Sequence, residues 1–430
     1  CIEKTAAGYR LWVSIADVSH YVKEGSAIDA EAYERSTSVY FPDRAIPMLP
    51  EALSNGICSL NPRVDRLTMT AEIDFDHDGR TGKKKFYESV IKSAERMTYT
   101  NVKKLIDGDD AAINSQYSHI LADIKLMAEL AKKLTARRFE QGSIDFDLPE
   151  PQIIIDLNGK VEDIVRSERN EAHKLIEEFM LSANRAVAEE FSKRALPFIY
   201  RIHEPPDEES VNDFADFIAT FGIRFTPGGP KSFQEALERF DGRPEEKLIN
   251  HVLLRSMKQA VYSEENLGHF GLAFEDYTHF TSPIRRYPDL VVHRLLKLLM
   301  KKAYTKEEQA RMEAVLPVTA VHTSGRERKA MEAEREIADL KKCQFMQDKV
   351  GDVFDGFISG VTNFGFFVEL KDFFVEGLVH VSTLADDYYV FDPKRHSLLG
   401  ERGGRKFLLA DPVKVKVAGV GLERRRIELV

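Results

Sequence analysis

The chain has 430 residues, of which 43% are hydrophobic and 30% are charged. That length favours two or three domains, and the composition is typical of a soluble globular protein with a substantial core. The longest apolar run, Leu290–Met300, is interrupted by His293, Arg294 and Lys297, so no membrane span is expected. The net charge of −9 argues against the class of nucleic-acid-binding proteins that are basic overall. An acidic protein can still concentrate Lys and Arg in one channel.

The start of the chain and its cysteines indicate a cytoplasmic protein. The first residue is Cys1 rather than Met, and Arg10–Val18 already has the pattern of a buried strand, so we expect a truncated start. No leader sequence is recognisable. Cys1, Cys58 and Cys343 are far apart and form no CxxC pair, which predicts free thiols in a reducing compartment.

The predicted elements begin with strands and continue mainly with helices. Strands are predicted at Leu11–Val18, Leu67–Phe75 and Phe86–Met97, with turn residues between them. A helix over 112–140, ending near Gly142, is followed by strands at Gln152–Asp156 and Val161–Val165. Helical periodicity then predicts helices over 170–193, 207–221, 231–239, 246–264, 288–302 and 306–345.

The pattern changes at about Val350. From there short strands rich in Gly, Val and Phe alternate with turn residues at the spacing of a small barrel. We therefore predict an α+β fold in two domains. Residues 1–347 form a β-rich core with surrounding helices, and residues 348–430 form a five-stranded antiparallel OB-fold barrel.

The most informative stretch is His269–His293, HFGLAFEDYTHFTSPIRRYPDLVVH, called the signature segment below. Its helix could begin at Ser282-Pro283, or at Pro288 after a tight turn. Either start places Arg285 and Arg286 beside a helix N-terminus, where N–H groups and the dipole favour an anion. Two guanidinium groups there suit a phosphate clamp. From the residues alone, a capped helix with solvated arginines is the more ordinary interpretation.

The signature segment resembles that of the ribonuclease II/R family. It matches the family from His269 through Tyr277, over the run from Thr281 to Tyr287, and at Asp289 and His293. Further segments agree, and they are closer to the ribonuclease R branch: IADVSHYV at 15–22, TSVYFPDRAIPMLPEALSNGICSLNP at 37–62, AHKLIEEFMLSAN at 172–184 and LLRSMKQAVY at 253–262. The resemblance covers nearly the whole chain.

The resemblance implies a site that the residues alone would not give. Tyr99 matches a tyrosine near the scissile phosphate, although a Tyr after a strand is usually packing. Glu177, or its neighbour Glu178, matches a contact to the terminal ribose, and we favour Glu177 over the solvated-edge interpretation. Tyr40 and Phe146 match rings that stack on bases, whereas such aromatics are ordinarily buried.

The last 80 residues or so resemble an S1 RNA-binding domain, with GDV at 351–353, NFGFFV at 363–368 and EGLVHVS at 376–382. Phe364, Phe367 and His380 match its ring platform for single-stranded bases. Alternation predicts Phe364 and Phe366 on one face and Phe367 on the other, so at least one ring must be exposed. The basic run at 424–426 adds positive charge beside the platform.

The implied activity is metal-dependent hydrolysis of single-stranded RNA from a free 3′ end to 5′-mononucleotides. It needs Mg²⁺, for which carboxylates are the usual ligands. The family's aspartates would lie upstream of Cys1, and no substitute cluster is predicted within the chain. Asp17, His20 and the pair Asp289/His293 are interpreted as structural. Arg285 would stabilise charge in the transition state. The alternative is a non-catalytic RNA-binding protein on the same fold.

Overall fold

The computed structural model describes residues 1–146, 151–156, 158–167, 169–243, 245–392 and 397–430. Within these ranges helices surround an antiparallel sheet, and a closed β-barrel follows. The predicted α+β class is confirmed. Among the helices described, none combines the length and the apolar character needed to cross a membrane.

The part of the chain before the barrel contains ten described strands and eleven described α-helices, with a π-helix at Ala52–Ile57 and a 3-10 helix at Phe270–Leu272. The strands are β1 (Ile2–Thr5), β2 (Gly8–Ala16), β3 (Val39–Tyr40), β4 (Ala45–Ile46), β5 (Asp65–Asp76), β6 (Thr81–Lys92), β7 (Pro151–Ile155), β8 (Val161–Arg166), β9 (Tyr200–Ile202) and β10 (Val261–Ser263). The helices are α1 (Val18–Tyr21), α2 (Ala27–Arg35), α3 (Tyr99–Asp107), α4 (Ala111–Gln116), α5 (Leu121–Glu140), α6 (Glu171–Ser192), α7 (Glu208–Ala219), α8 (Pro230–Glu238), α9 (Glu246–Ser256), α10 (Tyr287–Met300) and α11 (Lys306–Gln347).

The central sheet has the order β1-β2-β5-β6. Because side chains alternate along a strand, Tyr9, Leu11, Val13 and Ile15 of β2 share one face, and all four are buried. The same core contains apolar residues of α6 and α10. The sheet therefore packs against α6, which carries Glu177, and α10, which ends the signature segment.

Several predicted elements differ from the observed ones. The predicted helix 246–264 is wrong in its second half, because Val261–Ser263 pairs as a strand with Tyr200–Ile202. Tertiary pairing there outweighs the local helical period. The predicted helix 112–140 is two helices, α4 and α5. The helix of the signature segment begins at Tyr287, the later of the two starts considered.

The barrel region contains β11 (Val353–Thr362), β12 (Gly365–Leu370), β13 (Glu376–His380), β14 (Tyr389–Asp392), β15 (Ser397–Gly400), β16 (Lys406–Leu408), β17 (Pro412–Gly421) and β18 (Arg426–Leu429). Five of these strands close in the order β11-β12-β13-β18-β17, and β14, β15 and β16 form a separate sheet. The predicted five-stranded OB-fold barrel is confirmed, and its pairs are antiparallel except for β13 and β18, which pair in parallel. An odd number of strands in a ring cannot alternate in direction throughout, so one parallel pair is unavoidable.

The barrel shares its core with the preceding part of the chain. Val161 and Ile164 of β8 and Cys343 and Met346 of α11 are buried in one cluster with barrel residues. The barrel therefore packs directly on the end of α11 and on the β7–β8 hairpin.

Candidate functional site

The turn of the signature segment is held together by a buried carboxylate. Asp289, in the first turn of α10, is fully buried and accepts a hydrogen bond from the Ser282 backbone N–H at 2.7 Å. It also accepts from Nε and Nη2 of Arg286, at 2.8 and 2.7 Å. Burial alone would lower the pKa of Arg286, but the charge of Asp289 raises it. The Nε–Nη2 edge of the Arg286 guanidinium is therefore engaged inside the protein, and Nη1 has no acceptor among the described residues.

Arg285 has the opposite orientation. It is exposed, and no described residue accepts a hydrogen bond from its guanidinium. Its backbone oxygen accepts from the Ser38 N–H at 3.0 Å and from Thr37 Oγ1 at 3.2 Å. These bonds tie the segment that leads to Tyr40 against the turn. Tyr40, two residues after Ser38, is half exposed at 50%.

Tyr99 lies at a junction of two helix N-termini. It is the first residue of α3, because the Thr98 side chain caps that helix by accepting from the Asn101 N–H. Its exposed ring stacks on His173 of α6, with centroids 3.8 Å apart. His173 is itself fixed in a capping box with Asn170.

Glu177 lies four residues after His173, on the same face of α6. Both of its oxygens accept from Nη2 of Arg169, at 2.8 and 3.1 Å, and Arg169 also donates to Asp145 at 2.7 Å. Burial alone would lower the pKa of Arg169, but these hydrogen bonds to Asp145 and Glu177 raise it. The guanidinium therefore remains charged and orients Glu177.

Glu178 points away from this cluster and into the protein. It is 4% exposed and accepts from Arg138 Nε and Thr135 Oγ1, each at 3.0 Å. Of the two carboxylates left open by the sequence, Glu177 is therefore the one that a ligand could reach beside Tyr99.

Asn184 joins α6 to the signature segment. Its side-chain oxygen accepts from the Phe280 N–H at 2.9 Å, and its amide donates to the Tyr277 hydroxyl at 3.1 Å. The helix that carries Glu177 is thus hydrogen-bonded to the segment that carries Arg285. Phe146 is half-buried against a separate apolar cluster and lines a cavity with Arg201, His203 and His269. Residues 147–149 of its IDFDLP motif lie outside the described residues.

The histidines of the signature segment are packed inside. Burial lowers the pKa of His269 to about 3. Burial also lowers the pKa of His279 and of His293. His279 lies 2.8 Å from the Tyr262 hydroxyl, and His293 Nε2 lies 2.8 Å from the Phe280 oxygen. These residues support the turn from behind.

The barrel presents an aromatic surface. Phe364 is 44% exposed and meets the half-buried Phe367 edge to face at 6.2 Å, whereas Phe366 is buried against Phe407. The expected sharing of one face by Phe364 and Phe366 is wrong, because Phe364 precedes the strand. At Gly365, where φ is +151°, a Cβ would lie 2.2 Å from the Val379 oxygen, so the close approach requires glycine.

The rings of the barrel lie beside positive charge. Phe364 and Phe367 line a cavity of about 280 Å³ together with Arg425 and Arg426. His380 is exposed, pairs in register with Gly365, and its Nδ1 lies 2.8 Å from Ser382 Oγ. Phe367 and His380 thus lie on the neighbouring strands β12 and β13, and Phe364 lies in the turn before β12.

The described residues do not fit a metal centre. They contain no group of three or more His, Cys, Asp or Glu side chains placed to hold an ion. Asp17, once considered as a ligand, accepts from Lys297 at 2.6 Å and from Ser19 at 2.7 Å. Burial alone would raise its pKa, but these hydrogen bonds lower it. Its oxygens therefore serve a buried ion pair.

Comparison with known families agrees with this architecture. Residues 1–302 match the RNB domain family, and residues 347–430 match the S1 RNA binding domain family. This chain belongs to the RNB family, in its ribonuclease R branch.

Relatives of this RNB chain are similar along nearly its whole length. It is 48% identical over 413 residues to ribonuclease R 1 of Lactococcus lactis, covering 95% of the chain and 50% of that relative. It is 46% identical over 440 residues to ribonuclease R of Escherichia coli, covering all of the chain and 54% of that relative. The chain thus spans about half the length of these curated relatives. A Mycoplasma genitalium RNase R in complex with ribose methylated single-stranded RNA has a TM-score of 0.94 at 29% identity, covering all of the chain and 68% of that structure.

The RNB fold also brings in residues that the sequence did not single out. Arg169, His173 and Asp145 surround Tyr99 and Glu177, and Asn184 links α6 to the signature segment. The start of α6 had one readable signal, the capping residue Asn170 three positions before His173. No local sequence pattern indicated the roles of Arg169, Asp145 and Asn184, because their partners lie elsewhere in the chain.

Proposed function

We propose that this chain provides the RNA-holding and phosphate-contacting part of a cytoplasmic 3′→5′ exoribonuclease. The substrate is single-stranded RNA with a free 3′ end, and the products are 5′-mononucleotides. One observation carries the proposal. The exposed ring of Tyr99 stacks on α6, which carries the reachable carboxylate of Glu177, and Asn184 hydrogen-bonds α6 to the segment that carries the uncommitted guanidinium of Arg285. The branch to which the chain belongs, and the RNA-bound relative of the same fold, support it.

In this proposal the Arg285 guanidinium binds the scissile phosphate of the RNA. A guanidinium offers two parallel N–H donors to phosphate oxygens, and its charge favours negative charge that develops during phosphoryl transfer. Its position beside the N-terminus of α10 adds the helix dipole in the same direction. Arg286 holds the turn through Asp289, with Nη1 as its contact to RNA.

Tyr99 and Glu177 position the last nucleotide. The Tyr99 ring, held by His173, offers a flat surface to the terminal nucleotide. Glu177, held by Arg169, offers a carboxylate that accepts from a 2′-hydroxyl, which distinguishes RNA from DNA. Tyr40 and Phe146 clamp bases, and Phe364, Phe367 and His380 bind the strand further from its end. Stacking accepts every base, as a degradative enzyme requires.

The proposed units are a catalytic domain over residues 1–347 and an S1 domain over residues 348–430. Hydrolysis by the intact enzyme is proposed to use Mg²⁺, whose ligands are hard oxygen atoms. The described residues do not supply such a set. We therefore propose that the 430-residue chain binds RNA and does not hydrolyse it by itself. A non-catalytic RNA-binding protein is the second candidate function, favoured by the same observation.

The test is a time course on an oligoribonucleotide with an accessible 3′ end. The 430-residue chain is compared with a chain extended upstream by the acidic segment that the family resemblance predicts. We expect binding by both chains and stepwise release of mononucleotides only by the extended one. Hydrolysis by the short chain would show that the metal ligands lie within it. Binding without hydrolysis by both chains would favour the non-catalytic function.

A further inference from the structure

A cavity of about 360 Å³ lies between the β5–β6 turn and the helices α5 and α6, and its lining includes Glu178 but neither Tyr99 nor Glu177. We call it the basic cavity. Its lining includes six cationic side chains and two carboxylates, an excess of four positive charges in a chain whose net charge is −9. The cationic residues are Arg80, Lys84, Arg137, Arg138, Arg185 and Lys193.

Four of these cations share the two carboxylates. Arg138 is paired with the buried Glu178, at 2.9 Å. Lys84, Arg185 and Lys193 all converge on Glu189, from which Arg185 lies 2.9 Å and Lys193 3.5 Å away. Burial alone would raise the pKa of Glu189, but the hydrogen bond from Lys84 lowers it. One carboxylate therefore balances three positive charges.

Arg80 and Arg137 have no such partner. Among the described residues, none accepts a hydrogen bond or forms an ion pair with either guanidinium, although Arg137 is half-buried. Asp76 lies within reach of their charge, but its side chain accepts from the backbone N–H groups of Asp78 and Arg80. Those bonds, and then the charges of the two arginines, lower its pKa. Both guanidinium groups keep their donors for something else.

The position of Arg80 is fixed by the turn before it. Gly79 has φ +79°, and a Cβ there would lie 3.3 Å from Lys133 Cβ and 3.5 Å from Arg137 Cδ. The turn therefore sits directly on α5, and this contact places the Arg80 backbone at the same cavity as Arg137.

We propose that the basic cavity binds a small molecule through its phosphate group, held by Arg80 and Arg137 with Arg185 and Lys193 behind them. Guanidinium groups bind phosphate oxygens bidentately, and an excess of positive charge in a concave wall strengthens that attraction. The volume lies at the low end of the range of about 300–1,000 Å³ for small-molecule pockets. The cavity adjoins the residue proposed to contact the terminal ribose, since Arg138 in its lining also lies 3.7 Å from Glu177.

The test is a titration of the 430-residue chain with inorganic phosphate, adenosine 5′-monophosphate and adenosine, followed by ³¹P NMR and calorimetry. Ionic strength is matched with chloride. We expect both phosphate-bearing probes to bind and adenosine not to bind. Weaker binding of the mononucleotide than of inorganic phosphate would assign the site to free phosphate, and stronger binding would assign it to nucleotides. Absence of binding by both would overturn the proposal.

The variant pair isolates the two arginines. Arg80→Gln with Arg137→Gln should weaken phosphate binding at least about tenfold, since hydrogen bonds to charged groups are worth roughly that factor each. The control is Lys125→Gln with Lys132→Gln, which removes the same charge from exposed positions of α5 outside the cavity. Equal losses in both double variants would mean bulk electrostatics and would overturn the site.

A second measurement needs no variant. Phenylglyoxal modifies accessible arginines, and mass spectrometry locates the modified positions. Phosphate should slow modification of Arg80 and Arg137 and leave that of the exposed Arg239 unchanged. Protection by a single-stranded oligoribonucleotide, without protection by phosphate or the mononucleotide, would assign the cavity to the RNA path and overturn the proposal.

Discussion

The ring of Tyr99 and the imidazole of His173 stack with their centroids 3.8 Å apart and their planes 17° from parallel. The contact joins the first turn of α3 to the first turn of α6, two helices separated by α4, α5 and the β7–β8 hairpin in the chain. His173 also closes the capping box at Asn170. One side chain therefore fixes both the helix start and the ring proposed to meet the terminal nucleotide.

His173 offers two variants that separate these roles. His173→Gln keeps a side chain able to complete the capping box and removes the ring, whereas His173→Phe keeps the ring and removes the cap. In a hydrolytically competent extended chain, we expect His173→Gln to lower kcat about tenfold, since a lost aromatic pair is worth about 0.5–1.5 kcal/mol. His173→Phe should retain most activity. If His173→Phe is less active than His173→Gln in single-turnover assays, the helix cap rather than the ring stack supports hydrolysis.

Adjacent arginines in the signature segment should give opposite phenotypes. In the extended chain, Arg285→Ala should abolish most hydrolysis, and Arg285→Lys should not restore it, because the fork geometry is lost. Arg285→Ala should change the free energy of unfolding by no more than about 0.5 kcal/mol, because the side chain is exposed. Arg286→Ala should lower the free energy of unfolding by about 3 kcal/mol, because Asp289 would remain buried and unpaired. Turnover assays and urea unfolding on the same preparations measure the two effects. If Arg285→Ala turns over RNA as fast as the parent, the proposed role of Arg285 in hydrolysis is wrong.

Glu177 should govern the choice of sugar. In the extended chain, Glu177→Ala is expected to lower the ratio of the RNA cleavage rate to the DNA cleavage rate, because the acceptor for the 2′-hydroxyl is removed. Glu178→Ala is the neighbouring control. It should destabilise the fold by leaving Arg138 without its carboxylate, with the RNA to DNA ratio unchanged. An unchanged ratio in Glu177→Ala would assign that residue another role.

The barrel rings should contribute stacking and the barrel arginines should contribute salt dependence. Phe364→Ala should weaken binding of single-stranded RNA at least about fivefold, given about 1–3 kcal/mol per stacked base. Tyr388→Ala, which removes an exposed ring (70%) ahead of the separate sheet, should leave binding unchanged. Arg426→Gln should reduce the slope of log affinity against log salt by about 0.7. Fluorescence anisotropy at several salt concentrations measures the RNA affinity and its salt dependence. Equal losses of affinity in Phe364→Ala and Tyr388→Ala would contradict a specific role of Phe364 in stacking.

Stability should fall with mild acid. Burial lowers the folded-state pKa values of His269, His279 and His293, so below the ordinary histidine pKa of about 6.5 the unfolded chain takes up protons that the folded chain does not. Unfolding free energy should therefore decrease between about pH 6.5 and 5, by up to about 1.4 kcal/mol per pH unit for each histidine. Urea unfolding across that window measures it. His269→Asn should reduce the dependence of the unfolding free energy on pH, whereas His77→Gln, at an exposed position, should not. If the unfolding free energy of the parent does not change across this window, the prediction is wrong.

The sequence alone was enough for the fold class, the family and the presence of a barrel, because each rests on local patterns. Strand alternation placed Leu11 and Val13 in a core, Gly365 and its neighbours indicated a small barrel, and the signature segment carried the family resemblance. The site residues named from that resemblance remain predictions, now with positions. Periodicity could not show that Val261–Ser263 leaves a helical pattern to pair with Tyr200–Ile202, because the partner is distant in sequence.

Only the tertiary structure decided which charges are already committed. Arg285 and Arg286 are adjacent and chemically equivalent in the sequence, yet one meets Asp289 and the other faces outward. Glu177 and Glu178 are separated in the same way by Arg169 and Arg138. Arg80 and Arg137 lie far apart in the chain and line one cavity because a glycine turn rests on α5. Whether a charged group is available depends on the neighbours that neutralise it, and those neighbours come from elsewhere in the fold.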